Sequence, residues 1–266
     1  MTDAADPTAI EAKPPAKPNP LVGLALLLAW LGLGALLLRQ TGGLVVFGFV
    51  MLGWILAVMA HEFSHAAVAW LGGDHTVVGK GYLSFDPRRY GDVGVSLVIP
   101  LLALVMGGVG FPGGAVYLRN DLMRGRRWRA AASLAGPAAT LAILLAISLG
   151  LGAWAAAGGV RSDGAMALYE ALTVLAFLQA MALILNLLPI PGLDGFGAIR
   201  PFLPASLTPH IRKAEGLVMV ALLLVIFVVP GASATLFRAA ATLSVAVGLN
   251  IDALRAGWLA FHFWQR

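Results

Sequence analysis

The apolar stretch from Leu44 to Leu71 contains three ionisable residues in a window of five positions, in the order His61-Glu62-x-x-His65. Side chains four positions apart share one face of an α-helix, so both imidazoles can bind a single metal ion. Zinc accepts imidazole ligands, and the carboxylate of Glu62 can hold and deprotonate a water molecule at such a site. Because ionisable side chains are costly inside a membrane span, the pattern favours a zinc site over a chance match.

The composition indicates a polytopic membrane protein. Of the 266 residues, 59% are hydrophobic and only 12% are charged, which is far from the balance of a soluble domain. The formal net charge of +5 is modest, and we attribute it to basic cytoplasmic loops, with no nucleic acid as a partner. The chain has no cysteine, which excludes disulfides and thiolate metal ligands, so a transition-metal site must use His, Asp or Glu.

Apolar stretches that alternate with polar turns predict an all-α membrane protein with about six transmembrane helices. Residues 1–20 precede them and, with five prolines, are predicted to be a disordered tail. The predicted spans are Leu21–Leu38, Leu44–Leu71, Ala130–Ala157, Ala165–Leu188, a span beginning at Leu217–Val229, and the last apolar run Ala239–Ile251. The amphipathic residues that follow the last run fit either a span or an interfacial helix.

The segment between the second and third predicted spans is more polar and richer in glycine than the spans themselves. Residues 72–96 mix glycines and aromatic residues with charged residues, which predicts a small membrane-associated β-hairpin with loops. Leu97–Phe111 is apolar but short, and Pro100 and three glycines interrupt it, so it is predicted to be a re-entrant segment.

The distribution of basic residues predicts the topology. If the N-terminus is cytoplasmic and Leu97–Phe111 does not cross, the five arginines between 119 and 129 lie inside the cell. Only Arg39 and Arg161 then lie in outer loops of this region, as the positive-inside rule requires. We therefore expect a multi-pass protein of the bacterial cell membrane with a cytoplasmic N-terminus.

A zinc hydrolase site needs a third protein ligand, and Asp194 is the better candidate. It follows the inner end of the fourth span in a rigid Pro-x-Pro-Gly-Leu-Asp-Gly turn, which can fold irregular backbone back towards a buried metal. Glu170 lies at the outer start of its span, and Glu215 lies in a basic loop. The remaining histidines lack a paired spacing and are interpreted as ordinary exposed or interfacial residues: His75, His210 and His262.

These residues resemble the motifs of the site-2 protease family of intramembrane zinc metalloproteases. His61-Glu62-Phe63-Ser64-His65 is followed by Leu134-Ala135-Gly136-Pro137, and then by the run Asn186-Leu187-Leu188-Pro189-Ile190-Pro191-Gly192-Leu193-Asp194-Gly195. That order is similar to the family's compact branch, which has no PDZ domain. The chain departs from it at Thr140, where family members often carry Asn.

The resemblance implies a set of roles. His61, His65 and Asp194 would bind Zn2+, Glu62 would be the general base, and Asn186 would help to hold the substrate carbonyl or the oxyanion. The resemblance covers about Leu44 to Pro230. We expect a protease domain over residues 21–230, followed by an apolar or amphipathic helical segment over 231–266. The partners would be the lipid bilayer and a membrane-protein substrate whose transmembrane segment unwinds locally, with strand addition near Gly79–Ser96 as a way to hold it.

Two other kinds of protein, a metal transporter and a non-catalytic scaffold, agree less well with the sequence than a protease does. A metal transporter would place ligands on several spans, whereas the first, third and sixth predicted spans lack acids and histidines for a relay. A non-catalytic scaffold of the same fold would usually lose Glu62 or a ligand, and all of them are present. The sequence therefore favours hydrolysis of peptide bonds in or near transmembrane segments.

Overall fold

The computed structural model describes residues 19–90 and 116–265, and these residues form helices joined by short loops. The α-helices, in chain order, are α1 Leu21–Leu37, α2 Gly43–Gly72, α3 Thr76–Gly79, α4 Arg126–Ala156, α5 Asp163–Leu187, α6 Asp194–Ile199, α7 Thr208–Val228, α8 Ala232–Ala246 and α9 Ile251–Phe261. Short 3-10 helices occupy Pro87–Arg89, Arg200–Phe202, Ala205–Leu207 and Phe263–Gln265.

Helix α5 lies at the centre of the bundle, and most of its residues are buried. Its start is fixed by Ser162, whose hydroxyl accepts a hydrogen bond from the backbone N–H of Ala165 (3.2 Å) as a helix cap. Helices α2 and α4 pack against each other and against α5, with α8 and α9 on other sides of α5. Large side chains from these helices fill the core, among them Phe49 and Trp54 from α2 and Phe177 from α5.

The structure confirms an all-helical architecture with helices suited to a membrane, but it does not confirm a count of six spans. Helices α2, α4 and α5 are each long and apolar enough to cross. Helices α7 and α8 are bent by 88° relative to each other at a break that contains Pro230 and Gly231, and they count as one further span if taken together. Helix α1 has only 17 residues. By length and composition, the described residues therefore contain three spans, or four with the bent pair.

The β-hairpin predicted over residues 72–96 is not seen in residues 72–90, which are the part of it that the structure describes. Helix α3, a series of turns and a 3-10 helix occupy those positions. The reason is local: the Asp86 side chain accepts a hydrogen bond from the Arg88 N–H, and Pro87 begins the 3-10 helix with its φ already fixed. Gly81, with a φ of +76°, likewise forms a turn in place of a strand.

Two buried carboxylates organise this loop region. Asp74 accepts hydrogen bonds from the Thr76 N–H (3.1 Å) and from the Arg119 N–H (2.7 Å), which joins two distant segments. Asp86 is fully buried and accepts from the Asn19 N–H (3.3 Å), which joins the loop to the start of α1. Such bonds are needed because a buried carboxylate without partners is costly.

Two predictions fall largely or wholly outside the described residues. The predicted re-entrant segment Leu97–Phe111 lies wholly outside them, as do residues 1–18 of the predicted N-terminal tail.

Candidate metal centre

The side chains of His61, His65 and Asp194 meet at one point between helices α2, α4 and α6. The Nε2 atoms of the two histidines are 3.0 Å apart. One Asp194 oxygen lies 3.1 Å from His61 Nε2, and the other lies 3.3 Å from His65 Nε2. Ligands that lie 2.0–2.2 Å from a tetrahedral zinc ion are about 3.3–3.6 Å from one another, and the separations here are within a few tenths of an ångström of that range. The three side chains therefore have the spacing of ligands to a single ion.

Each histidine uses its second ring nitrogen to fix its orientation. His65 Nδ1 lies 2.7 Å from the Ala132 carbonyl oxygen, which can only accept, so Nδ1 carries the proton and Nε2 keeps a lone pair for a metal. His61 Nδ1 lies 2.9 Å from the Thr140 hydroxyl oxygen. Both supports come from α4, where residues 132 and 140 lie two helical turns apart on the face towards α2. Metal-binding histidines are typically held in this way.

Space for an ion exists because residue 136 is glycine. Gly136 lies on the same face of α4, midway between Ala132 and Thr140. A Cβ at this position would come within 2.5 Å of His61 Nε2 and would also clash with His65 Nε2. Since the donor set of two imidazoles and one carboxylate suits zinc and the cradle is open only without a side chain, these residues fit the metal.

The turn between α5 and α6 brings Asp194 to the two histidines. Helix α5 ends before Pro189, and Gly192 adopts a φ of +101° that favours glycine, so the chain reverses tightly. Gly195 then lies against the Leu187 and Leu188 carbonyl groups, where a Cβ would meet the Leu188 oxygen at 2.7 Å. Helix α6 can therefore lie directly against the end of α5, with Asp194 in its first turn.

The charges of the histidines act on Asp194. Burial raises the pKa of this carboxyl, but the adjacent His65 and His61 outweigh burial and hold the pKa below its usual range. Asp194 is therefore present as a carboxylate, which is the form that binds a metal.

Glu62 is buried beside the three ligands, with a relative exposure of 4%. Its carboxylate interacts with the charges of all three ligand side chains and with the backbone of Val116. Glu62 is therefore a further carboxylate next to the candidate metal position among the described residues.

Tyr90, which the sequence analysis did not select, lies close enough to Glu62 to be affected by its charge. Its hydroxyl is buried and has no hydrogen-bond partner among the residues that the structure describes. Burial raises the pKa of Tyr90, and the charges of Glu62 and Asp86 raise it further, so the phenol stays protonated and remains a donor.

Asn186 is buried on α5. It lines a small cavity next to His61. The centre of a water molecule can occupy about 20 Å³ in this cavity. The remaining lining residues are Trp54, Ala57, Val58, Thr140, Gln179 and Ala182.

Two other acidic residues that the structure describes, Glu170 and Glu215, do not join the candidate metal-binding group. Glu215 lies 3.7 Å from Arg200, and Glu170 faces a separate surface pocket beside Asn250. The remaining histidines, His75, His210 and His262, do not join a metal-binding group; in residues 19–90 and 116–265 the group formed by His61, His65 and Asp194 stands alone.

Sequence reasoning missed some of the supporting groups. Thr140 differs from the Asn that family members often carry, yet its hydroxyl is the hydrogen-bond partner of His61. The Ala132 carbonyl carries no side-chain signal at all. The spacing of four residues between positions 132, 136 and 140 is the pattern that indicates one face of α4.

Comparison with known proteins shows that the chain is similar in sequence to zinc metalloproteases. The chain is 42% identical over 202 residues to the "Putative zinc metalloprotease Rip2" of Mycolicibacterium smegmatis, which covers 74% of each chain. It is 39% identical over 221 residues to the Rip2 protein of Mycobacterium tuberculosis, covering 83% of this chain and 82% of the relative. The "Putative zinc metalloprotease YwhC" of Bacillus subtilis is 27% identical over 184 residues, or 68% and 81% of the two chains. No family model and no solved structure matches.

Proposed function

We propose that this chain, which belongs to the site-2 protease family of zinc metalloproteases, hydrolyses peptide bonds in or near the transmembrane segments of membrane proteins. The observation that carries the proposal is the buried cluster of His61, His65 and Asp194 within a bundle of apolar helices, with Glu62 beside it. A buried site among apolar helices favours a membrane-embedded segment over a soluble protein as the substrate.

Each residue has a distinct part in the proposed reaction. His61, His65 and Asp194 hold zinc, which when bound polarises a carbonyl group and lowers the pKa of a water ligand. Glu62 takes a proton from the attacking water and passes it to the nitrogen of the leaving amine. Asn186 donates its amide N–H to the substrate oxygen as negative charge develops there.

The substrate we propose is a membrane protein whose helix unwinds locally, because an intact helix shields its peptide bonds with side chains and hydrogen bonds. The protein itself would lie in the bacterial cell membrane, with a cytoplasmic N-terminus and about six spans. The protease unit would extend over residues 21–230, and residues 231–266 would form an additional helical segment.

A set of four variants, each assayed for bound zinc and for cleavage of a model transmembrane substrate, tests the proposal. Glu62→Gln should abolish cleavage with zinc still bound, because the ligands are unchanged. His61→Ala and Asp194→Ala should lose both zinc and cleavage. Glu170→Gln, which alters a distant carboxylate on α5, is the matched control and should keep both. Full cleavage by Glu62→Gln would exclude the proposed mechanism.

A further inference from the structure

The cavity next to His61 is also lined by hydrogen-bonding side chains that are not candidate metal ligands. Gln179 is 2% exposed, and its Nε2 atom is buried with no hydrogen-bond partner among residues 19–90 and 116–265. Trp54 Nε1 is a second buried donor that has no partner within the described parts of the chain, and both residues line the same cavity. An unsatisfied buried donor is destabilising, so two beside one small cavity indicate a group that accepts from them.

The size of the cavity fits a water molecule. Its open volume is about 20 Å³, and a cavity holds one water when this volume exceeds about 10–15 Å³. A buried water also needs two to four polar partners. The lining supplies donors from Gln179 and Trp54, the Thr140 hydroxyl, and an acceptor in the Asn186 amide.

The hydroxyl of Thr140 connects this cavity to His61. When His61 binds a metal through Nε2, its Nδ1 carries the proton and donates to the Thr140 oxygen. The Thr140 O–H is then left to donate elsewhere. Hydroxyls on neighbouring helices donate to the carbonyl four residues back, as Thr173 does to Tyr169 (2.8 Å), but Thr140 makes no such bond among the described residues.

We propose that Gln179 and Thr140 hold one water molecule in this cavity, and that this chain of hydrogen bonds fixes the ring of His61 for zinc binding. Gln179 and Thr140 are then positioning residues that act through His61, since neither touches the substrate. The proposal rests on the zinc site of the proposed function and adds two residues to the set that determines zinc affinity.

Zinc affinity measured by competition with a chelator tests the proposal on the full-length protein in detergent. Thr140→Val removes the hydroxyl at nearly constant volume and should weaken zinc binding about 10-fold or more. Thr140→Ser keeps the hydroxyl and should restore the affinity. Gln179→Met should weaken binding by roughly 5-fold, as the loss of one hydrogen bond predicts. Thr173→Val is the matched control on α5 and should leave the affinity unchanged.

The double variant separates a shared network from independent packing defects. Because one water links both side chains, Thr140→Val combined with Gln179→Met should bind zinc about as weakly as Thr140→Val alone. The proposal is overturned if the two effects multiply, or if Thr140→Val behaves like Thr173→Val. If His61→Ala loses zinc while the Thr140 and Gln179 variants bind normally, this inference fails and the protease function stands. If His61→Ala binds zinc as well as the native protein, the metal site itself is wrong.

Discussion

Gly136 on α4 lies directly against the ring of His61 on α2, so close that a Cβ at position 136 would come within 2.7 Å of the His61 Cδ2 atom. This contact sets the distance between the two helices at the metal centre. The two histidine nitrogens and the Asp194 carboxylate surround the space that the missing side chain leaves open.

We expect Gly136→Ala to lose most of its zinc and its proteolytic activity. The added methyl group would occupy the space beside the histidine nitrogens, and α4 cannot move away without breaking the bonds from Ala132 and Thr140. Zinc content per mole of purified protein is the measurement. Gly150→Ala is the control on the same helix, because a Cβ there meets nothing within 4 Å and alanine favours the helix. Full zinc content in Gly136→Ala would show that the metal lies elsewhere.

The pattern that located the ligands could not locate their supports. The spacing of His61 and His65 and the turn before Asp194 are local features, so sequence alone selects them. The roles of Thr140 and Gln179 depend on how α4 and α5 are rotated against α2, which side-chain types alone do not determine. The hairpin prediction was wrong over residues 72–90 for another reason: glycines and aromatic residues there belong to turns, which Asp86 and Pro87 stabilise locally.

Asn186→Ala should lower turnover by roughly 10²-fold, if the amide donates to the developing oxyanion. The zinc content should remain stoichiometric, because Asn186 is not a ligand. The same preparation is assayed for turnover of a model transmembrane substrate and for zinc content. Asn120→Ala, at an exposed loop position, is the control and should match the native protein. Aggregation of Asn186→Ala in detergent would instead indicate that the amide mainly stabilises the fold.

The ion pair between buried Asp86 and exposed Arg88 should make stability depend on pH. The Arg88 side chain donates to both Asp86 oxygens, at 2.8 and 2.7 Å, and holds the pKa of Asp86 below its usual range despite burial. Since the folded pKa is depressed, the stabilisation is complete above the ordinary pKa of about 3.9 and disappears as the pH falls through the lower folded value. Asp86→Asn should therefore cost roughly 1–2 kcal/mol of unfolding free energy at pH 7.

The comparison with Asp121 isolates the effect of burial. Asp121 accepts the same two bonds from Arg119, at 2.9 and 2.7 Å, but both side chains are exposed. Asp121→Asn should therefore cause no measurable change in stability at any pH. Unfolding in detergent at pH 7 and at about pH 3 would measure both variants. An equal loss in Asp86→Asn at both pH values would contradict the electrostatic origin of the effect.

Thiol labelling tests the predicted topology, because the native chain has no cysteine. We expect residues 97–111 to enter and leave the membrane on the cytoplasmic side. Fifteen residues reach only about 22 Å as a helix, against a hydrocarbon core of about 30 Å. A crossing would also place the five arginines between 119 and 129 outside the cell, against the positive-inside rule.

Single substitutions Ser84→Cys and Gly125→Cys flank this segment and lie in loops that the structure describes. In intact cells, neither variant should react with a membrane-impermeant thiol reagent until the cells are opened. Arg39→Cys, in a predicted outer loop, is the positive control and should react at once. If Gly125→Cys reacts in intact cells while Ser84→Cys does not, the segment crosses. The turn that carries Asp194 would then begin on the opposite side of the membrane, which is difficult to reconcile with its contact with His61 at 3.1 Å.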